Sequence, residues 1–266
     1  MCVRPGRSSG GTLADSRPQL YFAAYRDKIY VYRPRAGPEI LKQQPELVLQ
    51  PAASFLARHV AGQIDRRKPH QVDHLIVGNL GDSEILLMCY DDGDVIAYYT
   101  HLIAKYVLNC ASSPRRRPSV PPRIPKPFFH ESVGVSAWGL AIHSRSRLIA
   151  VSSNMHEVTV FSFALRSAER RPGKAYLPGG DRSPRTNAGL TAMELEEHLR
   201  SRDRYWRIVL PLSEIGNNVP NISFWDDERG EAEKVAAVDI NGYCWLLDIW
   251  KVGSHPVNIL VPGANL

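Results

Sequence analysis

The chain has 266 residues, 44% hydrophobic and 23% charged, enough to bury one large β core or two ordinary ones. No apolar run approaches bilayer length, and the opening MCVRPGRSSGGTLADSRP lacks the apolar stretch of a secretory signal, so a nuclear or cytoplasmic protein with no membrane partner is expected. The net charge of +6 is uneven: residues 112–126 carry five basic and no acidic residues, whereas 208–266 carry three basic against eight acidic.

Residues 1–18 read as a disordered tail. A first hairpin follows, with QLYFAAY and KIYVYR flanking Arg26-Asp27. Residues 34–70, rich in Pro, Gln and Arg, read as an insertion within a unit spanning 19–108. The second hairpin, EILLMCY and DVIAYYT, turns at Asp91-Asp92-Gly93. Residues 109–130 form a Pro/Arg-rich loop, too proline-dense for regular structure. Within 131–165, RLIAVSS and EVTVFSF flank Asn154-Met155-His156. Residues 166–203 read as a disordered insertion holding one helix at about 191–201, because Thr191 and Glu194 have capping-box spacing. The last unit, 204–266, opens with an outer strand at 204–212. Its hairpin, KVAAVDI and YCWLLDIW, turns at Asn241-Gly242, where a tight turn with two positive-φ residues is expected.

The second strands align. Their fifth position is always large (Tyr32, Tyr98, Phe161, Leu247), and their sixth is Arg33, Tyr99, Ser162 and Asp248. A strand entered from such a turn and closed by a large residue resembles the third strand of a WD-repeat blade, which ends in Trp-Asp. The expected fold is all-β: a partial or degenerate WD-repeat-like β-propeller of about four blade-like units. Asp248, at the closing position, is expected to accept hydrogen bonds near the blade's turn, with Trp250 packing beyond. The first unit shows only its last two strands and NILVPGANL offers no obvious closing strand, so a fragment of a longer propeller is expected.

Three blocks resemble the fungal family of constitutive ribonucleotide-reductase transcription regulators: NLGDSEILLMCYDDGDVIAYYT (79–100), ESVGVSAWGLAIHSRSRLIAVSSNMHEVTVFSFAL (131–165) and NNVPNISFWDDERGEAEKVAAVDINGYCWLLDIW (217–250). The resemblance implies a role in controlling ribonucleotide-reductase genes, and hence deoxynucleotide supply and the DNA damage response. It also implies a protein-binding scaffold whose partners are components of regulatory or ubiquitin-ligase complexes.

No enzyme chemistry is expected. There is no G-x-S-x-G, and NLGDSE and LPGGDR lack the spacing and Lys of a phosphate loop. Asp91, Asp92 and Asp94 lack the full ligand series of a calcium loop and read as solvated turn carboxylates. His70 and His74 around Asp73 lack a third ligand. Cys2, Cys89, Cys110 and Cys244 show no paired spacing, and for the three that sit in apolar runs packed, reduced thiols are expected. Trp138, Trp225, Trp245 and Trp250 read as strand residues in cores, and WDDERGEAE (225–233) as a solvated loop. No cofactor, metal or catalytic residue is therefore expected. The functional candidate is the basic loop with Arg115, Arg116, Arg117, Arg123 and Lys126, a partner-binding or nuclear-import segment. A nucleic-acid-binding regulator using that loop is the alternative, although the run lacks interleaved aromatics for stacking bases. Ser113-Pro114 and Ser183-Pro184 are possible phosphate acceptors that would lower the local charge.

Overall fold

The computed structural model describes residues 2–3, 19–34, 43–111, 123–165, 191–202, 204–251 and 253–260. Among the described residues, sixteen strands form four antiparallel four-stranded sheets, each taking its strands in chain order or its reverse. The first sheet holds β1 (Cys2–Val3), β2 (Tyr21–Tyr25), β3 (Lys28–Tyr32) and β4 (Leu47–Leu49). The second holds β5 (Val72–Leu80), β6 (Ser83–Tyr90), β7 (Asp94–Tyr99) and β8 (Phe129–Ser132). The third holds β9 (Ala137–His143), β10 (Leu148–Ser153), β11 (Glu157–Ser162) and β12 (Trp206–Pro211). The fourth holds β13 (Asn221–Asp226), β14 (Ala232–Val238), β15 (Tyr243–Asp248) and β16 (Val257–Leu260). The helices are α1 (Thr100–Ala111) and α2 (Ala192–Ser201), with a 3-10 turn at Ala57–His59. No helix among the described residues is long and apolar enough to cross a membrane.

The four hairpins read from the sequence are the central pairs of the four sheets. Their large fifth residues lie opposite large partners: Tyr32 on Tyr21, Tyr98 on Leu86, Phe161 on Ile149 and Leu247 on Val235. Cross-strand pairs of this kind supply much of a sheet's side-chain stabilisation. The last turn differs from expectation. Only Gly242 has positive φ (83°), and its N–H donates to the Asp239 carbonyl. The Asp239 carboxylate accepts from the N–H groups of Asn241 and Tyr243, which favours the longer turn over a two-residue one. Gly93 (φ 86°, N–H to Tyr90 O) and His156 (φ 56°, N–H to Ser153 O) close their hairpins in the same way.

Several elements sit where none was expected. β4 lies inside 34–70, β8 begins inside 109–130, and β16 closes the last sheet within the C-terminal segment. These three- and four-residue strands carry too little pattern to be read locally, and the neighbouring strand makes them strands. β1 completes the first sheet. Helix α1 was hidden because DVIAYYT reads on into HLIAKYVL as one apolar run. Its Ile103 and Val107, four apart, point into the core shared by the first two sheets. Helix α2 has both hydrogen bonds of its capping box, buries Leu199 and leaves Met193 exposed. The expected disorder at 4–18 and 166–190 concerns residues outside those described.

The sheets stack in order through their first strands, β1 against β5, β5 against β9 and β9 against β13. Three apolar cores fill the spaces between consecutive sheets. Sheets covered on both sides need no polar alternation, which is why β6, β10 and β11 read as nearly unbroken apolar runs. Trp245 and Trp250 are buried and Trp138 half-buried, but Trp225 is exposed, contrary to expectation, because it lies on the face of the fourth sheet turned away from the third. Cys110, in the last turn of α1, is likewise exposed rather than packed.

Asp248 does the structural work expected of it. Its Oδ1 accepts from Trp250 N–H at 3.1 Å and Lys251 N–H at 3.0 Å, while the Trp250 indole donates to Ala232 O at 2.9 Å. Replacing Asp248 with Ala is expected to lower stability by about 1–2 kcal/mol through two unpaired amides. Equilibrium urea unfolding checks this, and an unchanged midpoint would show that water replaces the carboxylate without loss.

Candidate functional site

The turn Asp91-Asp92-Gly93-Asp94 between β6 and β7 is not solvated. All three carboxylates are at most 1% exposed, which corrects the reading of Asp91, Asp92 and Asp94 as surface turn groups. Segment 50–71 buries them by lying across the turn and donating into it. Ser54 gives its N–H to Asp94 Oδ2 (2.7 Å) and its hydroxyl to Asp94 Oδ1 (2.6 Å). Asp91 accepts from Gln71 N–H (2.7 Å) and Ile64 N–H (3.2 Å). On the opposite side a Cβ at Gly93 would stand 1.9 Å from Gly134 O, so only glycine allows that approach. From β8, His130 Nε2 lies 2.9 Å from Asp94 Oδ2.

His70 locks the assembly. Its backbone is left-handed (φ 70°) and its ring stacks on Tyr90 with centroids 4.0 Å apart. Nδ1 lies 2.8 Å from Asp92 Oδ2 and Nε2 lies 3.1 Å from Pro51 O. The Pro51 carbonyl only accepts, so Nε2 carries hydrogen, and the close contact on Nδ1 requires a second proton between ring and carboxylate. Burial opposes a charged ring. The hydrogen bond with Asp92, the charges of Asp92 and Asp94 and the Pro51 carbonyl outweigh it and raise the His70 pKa. Nearby on β5, Asp73 is pushed up to about 7, first by burial and then by the charge of Asp91, against a hydrogen bond from Ser136.

Ligating atoms of His70, Asp92 and Asp94 lie within 4.8 Å of one another, closer than the sequence spacing suggested. The donor set does not fit a metal, because its atoms are already engaged. Asp94 holds Ser54 and His130, and Asp92 holds His70 and the Asp94 N–H (3.2 Å). The cluster is a closed polar clamp between segment 50–71 and the second sheet. The Cys89 thiol is no nucleophile: burial drives its pKa well up and its S–H points at Ala137 O.

An open site lies elsewhere. Helix α2, the outer strand β12 and the segment 247–256 enclose a groove of about 490 Å³. Leu195, Leu199, Trp206, Leu210, Leu247 and Ile249 supply apolar lining. Lys251 and His255 stand exposed on its rim, while Arg207 turns its guanidinium over the Phe161 ring on the other face of the third sheet. Its one carboxylate, Asp248, is held by backbone amides. At the back of this joint Glu231 accepts from Arg145 (2.7 Å) and the Ser146 hydroxyl (2.6 Å), tying the third sheet to the fourth. Burial pushes the Glu231 carboxyl up, but those bonds and the charges of Arg145 and Arg202 hold it below the ordinary range. Of the expected solvated loop 225–233, residues 226–229 are exposed, but Trp225 and Asp226 end β13, Ala232 and Glu233 open β14 with Ala232 buried, and Glu231 is bound rather than solvated.

Of the basic loop, Arg123 and Lys126 are exposed just ahead of β8, while Arg115, Arg116 and Arg117 lie outside the described residues. Neither Arg123 nor Lys126 lines the groove or enters the clamp. Sequence reasoning missed both of those features. One signal was available: a turn with three acids between strands apolar on both faces has little room to remain in solvent.

Residues 54–257 match the model of the CRT10 family, a span that includes all three sequence blocks quoted above. No curated protein matches the sequence. Among solved structures, a chain of apo ctPRC2 in an autoinhibited state aligns with a TM-score of 0.47 and 10% identity, covering 94% of this chain and 38% of that one. A chain of the Chaetomium thermophilum polycomb repressive complex 2 aligns with a TM-score of 0.49 and 11% identity, covering 94% and 36%. This chain thus spans little more than a third of their length, and likeness at that level carries no functional argument. Matched by the family model over more than half of its length, the chain belongs to the CRT10 family of constitutive ribonucleotide-reductase transcription regulators.

Proposed function

We propose that this chain is a non-enzymatic, nuclear protein-binding platform in the transcriptional control of ribonucleotide-reductase genes, its four sheets serving as blades of a WD-repeat-like propeller. The blade reading is supported by four meanders stacked in order through their first strands. The single observation that carries the binding role is the open apolar groove beside β12, rimmed by Lys251 and His255. An apolar floor under a cationic rim suits a protein segment whose hydrophobic side chains are flanked by Asp or Glu. The chain's own insertion at 166–190 carries six basic residues against two acidic, so it is a poor electrostatic match for that rim. Partners in regulatory or ubiquitin-ligase complexes belong to this reading.

Lys251 and His255 are exposed groove residues, so the variant Lys251→Glu/His255→Glu is expected to fold normally. Expressed in place of the wild type, it should lose its nuclease-resistant protein partner and shift ribonucleotide-reductase transcript levels as deletion does. Neutralising Arg115, Arg116, Arg117, Arg123 and Lys126 should do neither. The opposite pattern, with DNA binding that weakens steeply with salt and disappears on neutralisation, would establish the nucleic-acid reading instead.

A further inference from the structure

The segment between β4 and β5 has its two ends fastened together. His70 Nε2 donates to Pro51 O at 3.1 Å while Nδ1 lies 2.8 Å from Asp92 Oδ2, so residues 51 and 70 meet over the β6–β7 turn. Between them the chain is tied to the same turn twice more, by Ser54 on Asp94 and by the Ile64 N–H on Asp91. Gly62 keeps the second half compact. A Cβ there would stand 2.5 Å from Asp65 O, 2.8 Å from Pro69 Cα and 2.9 Å from Asp91 Oδ2, so any larger residue would push the loop open. Holding so long a connection in one shape opposes its conformational entropy, and buried, hydrogen-bonded side chains hold it.

The surface that this ordered loop presents is apolar and cationic. Phe55 is 75% exposed, Leu56 54% and Ile64 58%. Arg58 and His59 follow the first two, with the His59 ring 5.1 Å from that of Phe55, and Arg66, Arg67 and Lys68 follow Ile64. All five of these basic side chains are exposed, and among the described residues no Arg or Lys of the loop has an ion-pair partner. The carboxylates beneath the loop are already engaged: Asp91 by Gln71 and Ile64, Asp92 by His70, and Asp94 by Ser54 and His130. Asp65, the one acid between residues 51 and 70, accepts the Arg67 N–H at 2.9 Å.

This combination selects its occupant. A neutral apolar partner would leave the four Arg and Lys charges unanswered, and a nucleic acid would find one exposed phenyl ring to stack on while Leu56 and Ile64 faced its phosphates. An acidic protein segment uses both kinds of group, because Arg pairs with carboxylates in a planar fork and Phe and Leu take apolar side chains. We propose that the loop 51–70 is a preorganised docking site for an acidic protein segment. Its apolar side chains pack on Phe55, Leu56 and Ile64, and its carboxylates meet Arg58, Arg66, Arg67 and Lys68. The clamp orders the loop before any partner arrives, which spares the complex that ordering cost. The site shares no residue with the groove and is independent of it.

Fluorescence anisotropy with a labelled helical peptide of about sixteen residues, Leu and Phe along one face and Glu elsewhere, tests the proposal. Because the groove could take the same peptide, the full chain carries Lys251→Glu/His255→Glu in the decisive measurement. Saturable one-to-one binding is expected there, about tenfold or more weaker when Gln replaces Glu in the peptide. Phe55→Ala/Leu56→Ala and Arg66→Glu/Arg67→Glu alter exposed side chains, so both should keep the wild-type circular dichroism. Each should weaken binding by about tenfold or more. Absence of binding in the groove variant, binding indifferent to both loop variants, or a loop that prefers oligo-dT or anionic lipid vesicles to the peptide would overturn the proposal. Binding by the wild type that the groove variant abolishes would overturn it too, and would leave the groove's function standing.

Discussion

Replacing His70 by Ala is expected to destabilise the protein by about 3–5 kcal/mol, the usual cost of leaving a buried charge without its partner. His70 is 8% exposed and Asp92 1%, so bulk solvent has little access to replace the imidazole. The double variant His70→Ala/Asp92→Asn should lose less than the two single losses combined, since each single change strands the other group. The clamp also sets the pH dependence. The folded pKa of His70 lies above its ordinary value, so its stabilisation is complete below about pH 6.5 and fades as pH rises through the raised value. Asp73 acts in the same direction. Its folded pKa of about 7 exceeds the ordinary 3.8, so ionisation of the unfolded chain draws stability away between those values. Asp73→Asn should therefore raise the urea midpoint more at pH 8 than at pH 5. Wild-type stability that climbs from pH 6.5 to 8 would contradict this account of both residues.

Trp245→Ala should cost about 3–5 kcal/mol, because a fully buried indole leaves a large cavity between the third and fourth sheets. Trp245→Phe should cost about 1–3 kcal/mol less than that, keeping most of the packing while orphaning one Asp239 oxygen. The Trp245 indole N–H donates to Asp239 Oδ2 at 2.9 Å, and Asp239 Oδ1 holds the turn amides. The loss from Asp239→Asn combined with Trp245→Phe should be smaller than additive. Denaturant unfolding of the variants decides the matter. Equal losses for the Ala and Phe variants would mean that the hydrogen bond, and not the packing, carries the energy.

These two residues mark different degrees of legibility. Trp245 lies in a strand whose pattern, turn and closing Asp248 can be read within a dozen residues, and its burial follows from that pattern. His70 cannot be read in this way. It looked like one histidine of a weak metal pair with His74, yet its partners are Asp92 and Pro51, 22 and 19 residues away.

Local residue patterns specify the all-β class, the four central hairpins, the capped helix α2 and the hydrogen-bonding role of Asp248. Each of those depends on side chains near one another along the chain, where alternation, turn chemistry and capping act. Tertiary structure alone decided the short strands β1, β4, β8 and β16, which exist because a longer neighbour offers them a ladder. It also decided the burial of Asp91, Asp92 and Asp94, since a carboxylate leaves water only when other groups replace its solvation. Those groups come from segment 50–71, 20 to 40 residues away in sequence. The groove likewise needs α2, β12 and the segment after β15 in one place, and only the packing of the third sheet against the fourth puts them there.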